Sequence, residues 1–199
     1  MLRKRLITVL AFNNGILFRT KSFTPDYRYT LSFVDAWSID EIIILDITRP
    51  GQGDRKNFED IVSKFAKNCF VPLTVGGGIR TIKDVNRLLT IGADKVAINT
   101  GAIQNPEIIN EIAHLYGSQC VTLSLDAKHL SNGEYEVYSH FGTRKTSMTP
   151  VNWAKQAENL GAGEIFVTSI DNDGSLHGYD LNLCKNVSDA VNVPVLICG

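Results

Sequence analysis

Short apolar runs and longer runs of helical period alternate along the chain. Residues 6–12, 42–45, 72–75, 96–98, 121–125, 165–167 and 195–198 are nearly continuously apolar and rich in Val and Ile. A strand with one wet face alternates polar and apolar positions, whereas a strand covered on both faces reads this way, so these segments predict a parallel sheet. Between them lie helices. Phe58, Ile61, Val62, Phe65 and Ala66 form one stripe behind Asn57. Asn105 is placed to cap a helix that has Pro106 at its first position, Ile109, Ile112, Ala113 and Tyr116 on one face, and Gly117 as its stop. Thr149–Pro150 opens another, with Trp153, Ala157 and Leu160 on one face before Gly161. Strands that alternate with helices predict an α/β fold, either an eightfold barrel or an open doubly wound sheet. Residues 131–150 break the alternation: after the turn signal Asn132–Gly133, Tyr135 and Val137 alternate in strand fashion, which predicts a small antiparallel excursion on the loop side.

The chain also repeats itself. VPLTVGG at 71–77 matches VPVLICG at 193–199, and SIDEIIILDI at 38–47 matches GAGEIFVTSI at 161–170. More weakly, LITVLAFNNG at 6–15 faces VTLSLDAKHL at 121–130. Two matching halves favour a barrel over an open sheet. The fourth strand, in GADKVAIN at 92–99, then needs a counterpart after residue 199, and a whole barrel takes roughly 250 residues. The expectation is therefore one domain over residues 1–199, a (βα)8 TIM barrel lacking strand eight and its last helices. A shorter open sheet is the alternative.

Composition narrows the function. With 20 Lys+Arg against 21 Asp+Glu, the formal net charge is −1, which argues against a general nucleic-acid binder. No apolar run is long enough for a membrane span. The opening MLRKRLITVLAFNNG resembles a signal peptide, but its apolar stretch is short and no cleavage site follows, so it reads as a strand. Cys69, Cys120, Cys184 and Cys198 are far apart and read as buried free thiols of a cytoplasmic protein rather than as metal ligands or disulfides. No GxGxxG fingerprint occurs, and no cofactor is expected.

Barrel active sites lie at the carboxyl ends of the strands. Asp46, Asp126 and the Thr168–Asp171 segment stand there, and so do glycine clusters at 76–78, at Gly101 and at Gly174. Glycines at such ends let backbone N–H groups approach an anion. Clusters in opposite halves suit a long substrate with a phosphate at each end. Asp126 suits general acid–base work if the site raises its pKa.

With TVGGGIR (74–80), GADKVAINT (92–100), LDAK (125–128) and TSIDNDG…GYD (168–180) in order, the whole chain resembles the cyclase (synthase) subunit of imidazole glycerol phosphate synthase, the HisF family. The resemblance implies a phosphate-binding (βα)8 barrel and a lyase of histidine biosynthesis. It implies a heterodimer in which a glutaminase docks at the amino-terminal face and supplies ammonia. The ammonia serves to cleave a ribulosyl-phosphate aminoimidazole precursor and to close an imidazole ring.

Residue by residue, the resemblance assigns Gly78, Asn99 and Thr100 to one phosphate site and Asp173 and Gly174 to the other. Asp126 becomes a catalytic aspartate, and Arg5, Glu41, Lys95 and Glu164 a charged ring where ammonia enters. Asp46 and Thr168 remain candidate substrate contacts by position. The chain departs from the pattern at position 11, where Ala11 stands in place of the second catalytic aspartate. Arg19 replaces a phosphate-contacting lysine, and loop one (20–31) lacks Gly-Asp-Pro. These departures resemble a HisF-like branch that works with a glutaminase and an amidotransferase in acetamidino modification of surface sugars. A catalytically silent docking subunit is the third reading.

Overall fold

The structure is a computed structural model that describes residues 4–21, 24–29 and 39–199, without the side chains of 18–29. Arg19, on the described backbone, thus has its side chain outside the described residues, and so does part of loop one.

The chain opens with β1 (Ile7–Asn13), β2 (Ile16–Lys21) and β3 (Thr24–Tyr29), an antiparallel meander. Asn14 and Gly15, at φ 45° and 90°, make the two-residue turn between the first two strands. Much of what the sequence predicts as loop one is therefore strand. β4 (Glu41–Asp46), α1 (Arg55–Asn68), β5 (Leu73–Gly76), α2 (Ile82–Thr90) and β6 (Lys95–Ile98) follow as βα units. Next come the short α3 (Thr100–Gln104), α4 (Glu107–Tyr116), a 3₁₀ turn (Ser118–Cys120) and the long β7 (Val121–His129). β8 (Tyr135–Ser139) and β9 (Arg144–Lys145) form the expected excursion. α5 (Pro150–Asn159), β10 (Glu164–Ser169), α6 (Leu181–Ser188) and β11 (Val195–Cys198) complete the order.

The parallel strands pair in chain order, β1–β4–β5–β6–β7–β10–β11. A doubly wound sheet reverses direction at a switch point. This one never reverses, which is the winding of a (βα)8 barrel. Among the described pairings β11 bonds only to β10, so the chain shows the barrel's parallel run rather than a closed ring.

Helix starts lie where capping chemistry puts them. Thr149 accepts from the Asn152 N–H with Pro150 at the first position of α5. The Asn57 start is corrected by three residues, because the Asp54 carboxylate takes the Lys56 N–H and α1 begins at Arg55. Asn105 makes no side-chain cap; Pro106 itself stands at the cap of α4. α2 is closed by a reciprocal Thr81–Asp84 capping box.

Alternation along each strand divides its side chains between two cores. Ile42, Ile44, Val75, Val96, Leu123, Leu125 and Ile165 face the helices in one continuous cluster. Ile43, Phe166 and Leu196 pack with Ile7, Val9 and Leu45 on the other side of the sheet. The second group joins β1 and β4 to β10 and β11, elements far apart in the pairing order, so the sheet curls around it. Pairing register places Leu45 beside Gly76, Gly76 beside Ala97 and Ala97 beside Thr122. The interior is thus bulky and apolar on one side and small or polar on the other. The four thiols are free; Cys184 alone is fully buried, and the other three are half-buried.

Candidate active site

At the amino ends of the strands four charged side chains form a closed square. The Arg5 guanidinium donates to Glu41 at 2.7 Å and to Glu164 at 2.8 Å, and the Lys95 ammonium donates to the same two carboxylates at 3.0 and 2.8 Å. Thr74 Oγ1 adds a bond to Glu41 at 2.9 Å, and Thr122 Oγ1 a longer one to Glu164 at 3.4 Å. Glu41 is wholly buried. Burial alone would raise the Glu164 pKa, but the bonds from Lys95 and Arg5 more than offset it and hold it below the ordinary glutamate value. The same floor carries exposed apolar side chains: Phe70, before β5, is 95% exposed, and Leu6, before β1, is 62% exposed.

At the carboxyl ends an open cavity of about 1110 Å³ reaches from the mouth down past Val9 and Phe166. Asp126, half-buried on β7, accepts a 2.7 Å bond from Asn99 Nδ2. Its pKa is pushed up to about 7, first by desolvation and then by the charge of Asp173, against the lowering effect of Asn99. Such a group is half protonated near neutrality and able to give or take a proton. Asn99 Oδ1 is buried and has no partner among the described residues, an acceptor open to an N–H or O–H of a bound molecule. Thr168 lies level with Asp126 on the adjacent β10 and lines the same cavity, as do Asp173 and Gly174.

Gly77 and Gly78, at φ 102° and 66°, form the loop after β5. A Cβ on Gly77 would lie 2.3 Å from the Asp46 carbonyl oxygen, so only glycine fits there. Asn99, Thr100 and Gly101 face them from the next strand end. Asp46 has a different setting from the one its sequence position predicts. Its oxygens take the Thr48 N–H at 3.0 Å and Arg55 Nη1 at 2.8 Å, so it holds an arginine beside Gly78 rather than turning a bare carboxylate to the mouth. Arg55 also stacks on Phe58 at 4.8 Å.

Sequence reasoning missed Arg55, and also His140 and Phe141, which line the mouth from the excursion after β7. Asp46 and Arg55 are nine residues apart across a loop and carry no spacing signal. For the other two, the only trace was a histidine before Phe141–Gly142 in the excursion. At position 11, Ala11 presents a methyl group to the cavity.

The comparisons with known proteins agree with this geometry. Residues 8–199 match the family described as "Histidine biosynthesis protein". The chain is similar to "Imidazole glycerol phosphate synthase subunit HisF" of Hydrogenobaculum sp. (strain Y04AAS1), 42% identical over 204 residues, which cover 100% of this chain and 81% of that protein. Matched in both ways along nearly its whole length, the chain belongs to the histidine biosynthesis protein family.

Proposed function

We propose that this protein is the cyclase subunit of an imidazole glycerol phosphate synthase. In this reading ammonia from a glutaminase partner enters through the charged square and reacts at the mouth with a ribulosyl-phosphate aminoimidazole precursor. One observation carries the reading: a single barrel holds a closed square of alternating charge at its floor and a carboxyl titrating near neutrality at its mouth. Above Thr74, which is level with Lys95, the small side chains of Ala97 and Ser124 line the cavity on the β6–β7 side, the lane proposed for ammonia. The glycine loop at 77–78 and the backbone N–H groups after Asn99 hold one phosphate. The loop at Asp173–Gly174 approaches the other. Asp126 moves the proton, and Asn99 positions it and accepts from the substrate.

The partner sits on the floor, where Leu6 and Phe70 supply an apolar patch beside the square. Phe70→Asp should weaken glutaminase association at least tenfold in a titration, with ammonium-driven turnover unchanged. Ala11 favours one competing reading, the sugar-modifying branch. The deciding experiment measures turnover of the histidine-pathway precursor with ammonium salt and, separately, with glutamine plus a glutaminase. Turnover by both routes supports the cyclase. Binding of a bis-phosphate without turnover by either route would favour the sugar-modifying branch or a docking subunit.

A further inference from the structure

Replacing a carbonyl oxygen by nitrogen requires a base as well as an acid, and Asp126 can fill only one of those roles at a time. We propose that His140 is the second proton-transfer residue, working beside Asp126 from the same rim of the barrel; this rests on the cyclase reading above. The excursion after β7 brings it there. β8 runs back along β7 with Tyr138 level with Asp126, and the chain then meets the rim where β6 ends. The His140 N–H donates to Thr100 Oγ1 at 3.0 Å, while the neighbouring Asn99 donates to Asp126 at 2.7 Å. Consecutive rim residues thus hold the His140 backbone and the Asp126 carboxyl, and both residues line the cavity.

The backbone there is strained. His140 and Phe141 adopt φ 51° and 60°, and Gly142 follows at 71°. Two successive non-glycine residues in the left-handed region cost on the order of 1–3 kcal/mol each, and such strain gathers at functional sites. Three contacts hold the loop in place. Thr143 Oγ1 donates to the His140 carbonyl at 2.6 Å, the Thr143 N–H donates to the Ser139 carbonyl at 3.1 Å, and the Arg49 guanidinium lies 5.1 Å from the Phe141 ring. Ser139 Oγ lies 2.9 Å from His140 Nδ1 and donates to the Arg144 carbonyl at 3.5 Å. In the tautomer that directs Nδ1–H to Ser139 Oγ, Nε2 is left as the free base.

The charged groups acting on the ring are Arg144 on β9 and Arg80 after β5, while Arg49 after β4 packs on the next residue, Phe141. Desolvation, Arg144 and Arg80 lower the His140 pKa, which keeps the imidazole neutral at pH 7.

The step balances. Ammonia adds to the ketose carbonyl carbon, forming C–N while the π pair moves to oxygen. His140 takes a proton from the new ammonium nitrogen, and protonated Asp126 gives one to the oxygen. Protonated His140 then protonates the departing hydroxyl, which leaves as water. Asp126 finally takes the iminium proton, so both groups return to their starting states.

The test is steady-state turnover with ammonium salt at constant free ammonia across pH. His140→Asn keeps a residue at ease in the left-handed region. It should lower kcat ~100-fold with KM unchanged, as loss of a general base does. It should also abolish the acid limb of kcat/KM, leaving the alkaline limb set by Asp126. Ala11→Asp in that background should recover ~10-fold or more of the lost kcat, since an acid/base group is restored. His140→Gly, which relieves the backbone strain, should be rescued by added imidazole, a readout that a structural role would not move. Unchanged kcat, a raised KM alone, or a persisting acid limb would overturn the proposal while leaving the cyclase reading intact. Absence of wild-type turnover would overturn both.

Discussion

The first half of the barrel ends its lead strand in a methyl group, the second in a carboxylate. Ala11 on β1 and Asp126 on β7 are repeat partners, and each strand then turns into an antiparallel hairpin, pairing Ala11 with Phe18 and Asp126 with Tyr138. The floor treats the halves alike: Glu41 and Glu164, also repeat partners, occupy alternate corners of the charged square. So does the joint between strands. A Cβ on Gly77 would meet the Asp46 backbone, and a Cβ on Gly199 would meet the Ser169 backbone in the same way. The halves therefore share their framework and differ in chemistry, with the proposed proton-transfer groups collected on the second half.

Substitutions at repeat partners probe this difference. The largest effect should come at Asp126. Asp126→Asn keeps shape but loses the proton, and turnover should fall ~10²–10⁴-fold. The same change should stabilise the fold in alkali. A carboxyl whose folded pKa is raised is harmless below its unfolded value of 3.8 and costs stability as pH climbs through about 7. The variant should thus match wild type near pH 4 and exceed it at pH 8, by up to ~4 kcal/mol and less where water reaches the mouth. Denaturant titration at the two pH values reads this; equal stabilities at pH 8 would mean Asp126 is not desolvated.

Next in size is the floor. Glu41→Gln leaves Arg5 and Lys95 sharing one carboxylate, and breaking a buried ion set should cost ~3 kcal/mol. Because Glu164 is slightly more accessible than Glu41, at 8% against 0%, Glu164→Gln should cost less, a difference measurable by melting. Third come the glycines. Gly77→Ala brings a Cβ to 2.3 Å from a backbone oxygen, Gly199→Ala to 2.9 Å. The first should lose ~2 kcal/mol or more and the second distinctly less, given positive-φ strain of order 1–3 kcal/mol in both. The smallest effect is a gain: Ala11→Asp should raise turnover about tenfold, ~1.4 kcal/mol of barrier.

The framework was far more legible in the sequence than the site. The seven parallel strands were readable because burial on both faces leaves a continuous Val/Ile signature that nothing else in the chain imitates. The β2–β3 ribbon was not, because TPDYRY carries a proline and its alternate positions, Pro25, Tyr27 and Tyr29, hold no Val, Ile or Leu. Its strongest clue, Asn14–Gly15, is the same kind of turn pair as Asn132–Gly133, from which the second excursion was predicted. Asp126, Asn99 and Thr100 were placed by their position at strand ends together with the family resemblance. Arg55 and His140 were invisible for the opposite reason: a loop-spanning ion pair and a left-handed backbone are tertiary outcomes, with no local pattern to betray them.

The notch at Gly77 also works as an indexing pin. With no side chain, the turn after β5 drops against the backbone of Asp46 and stops β5 from sliding along β4. A slip of one residue would reverse every face of the strand. Thr74 would then turn toward the helices, and Val75 would stand over the square in its place. The missing methyl of one glycine therefore sets the pitch of the barrel, and with it which side chains can face each other inside.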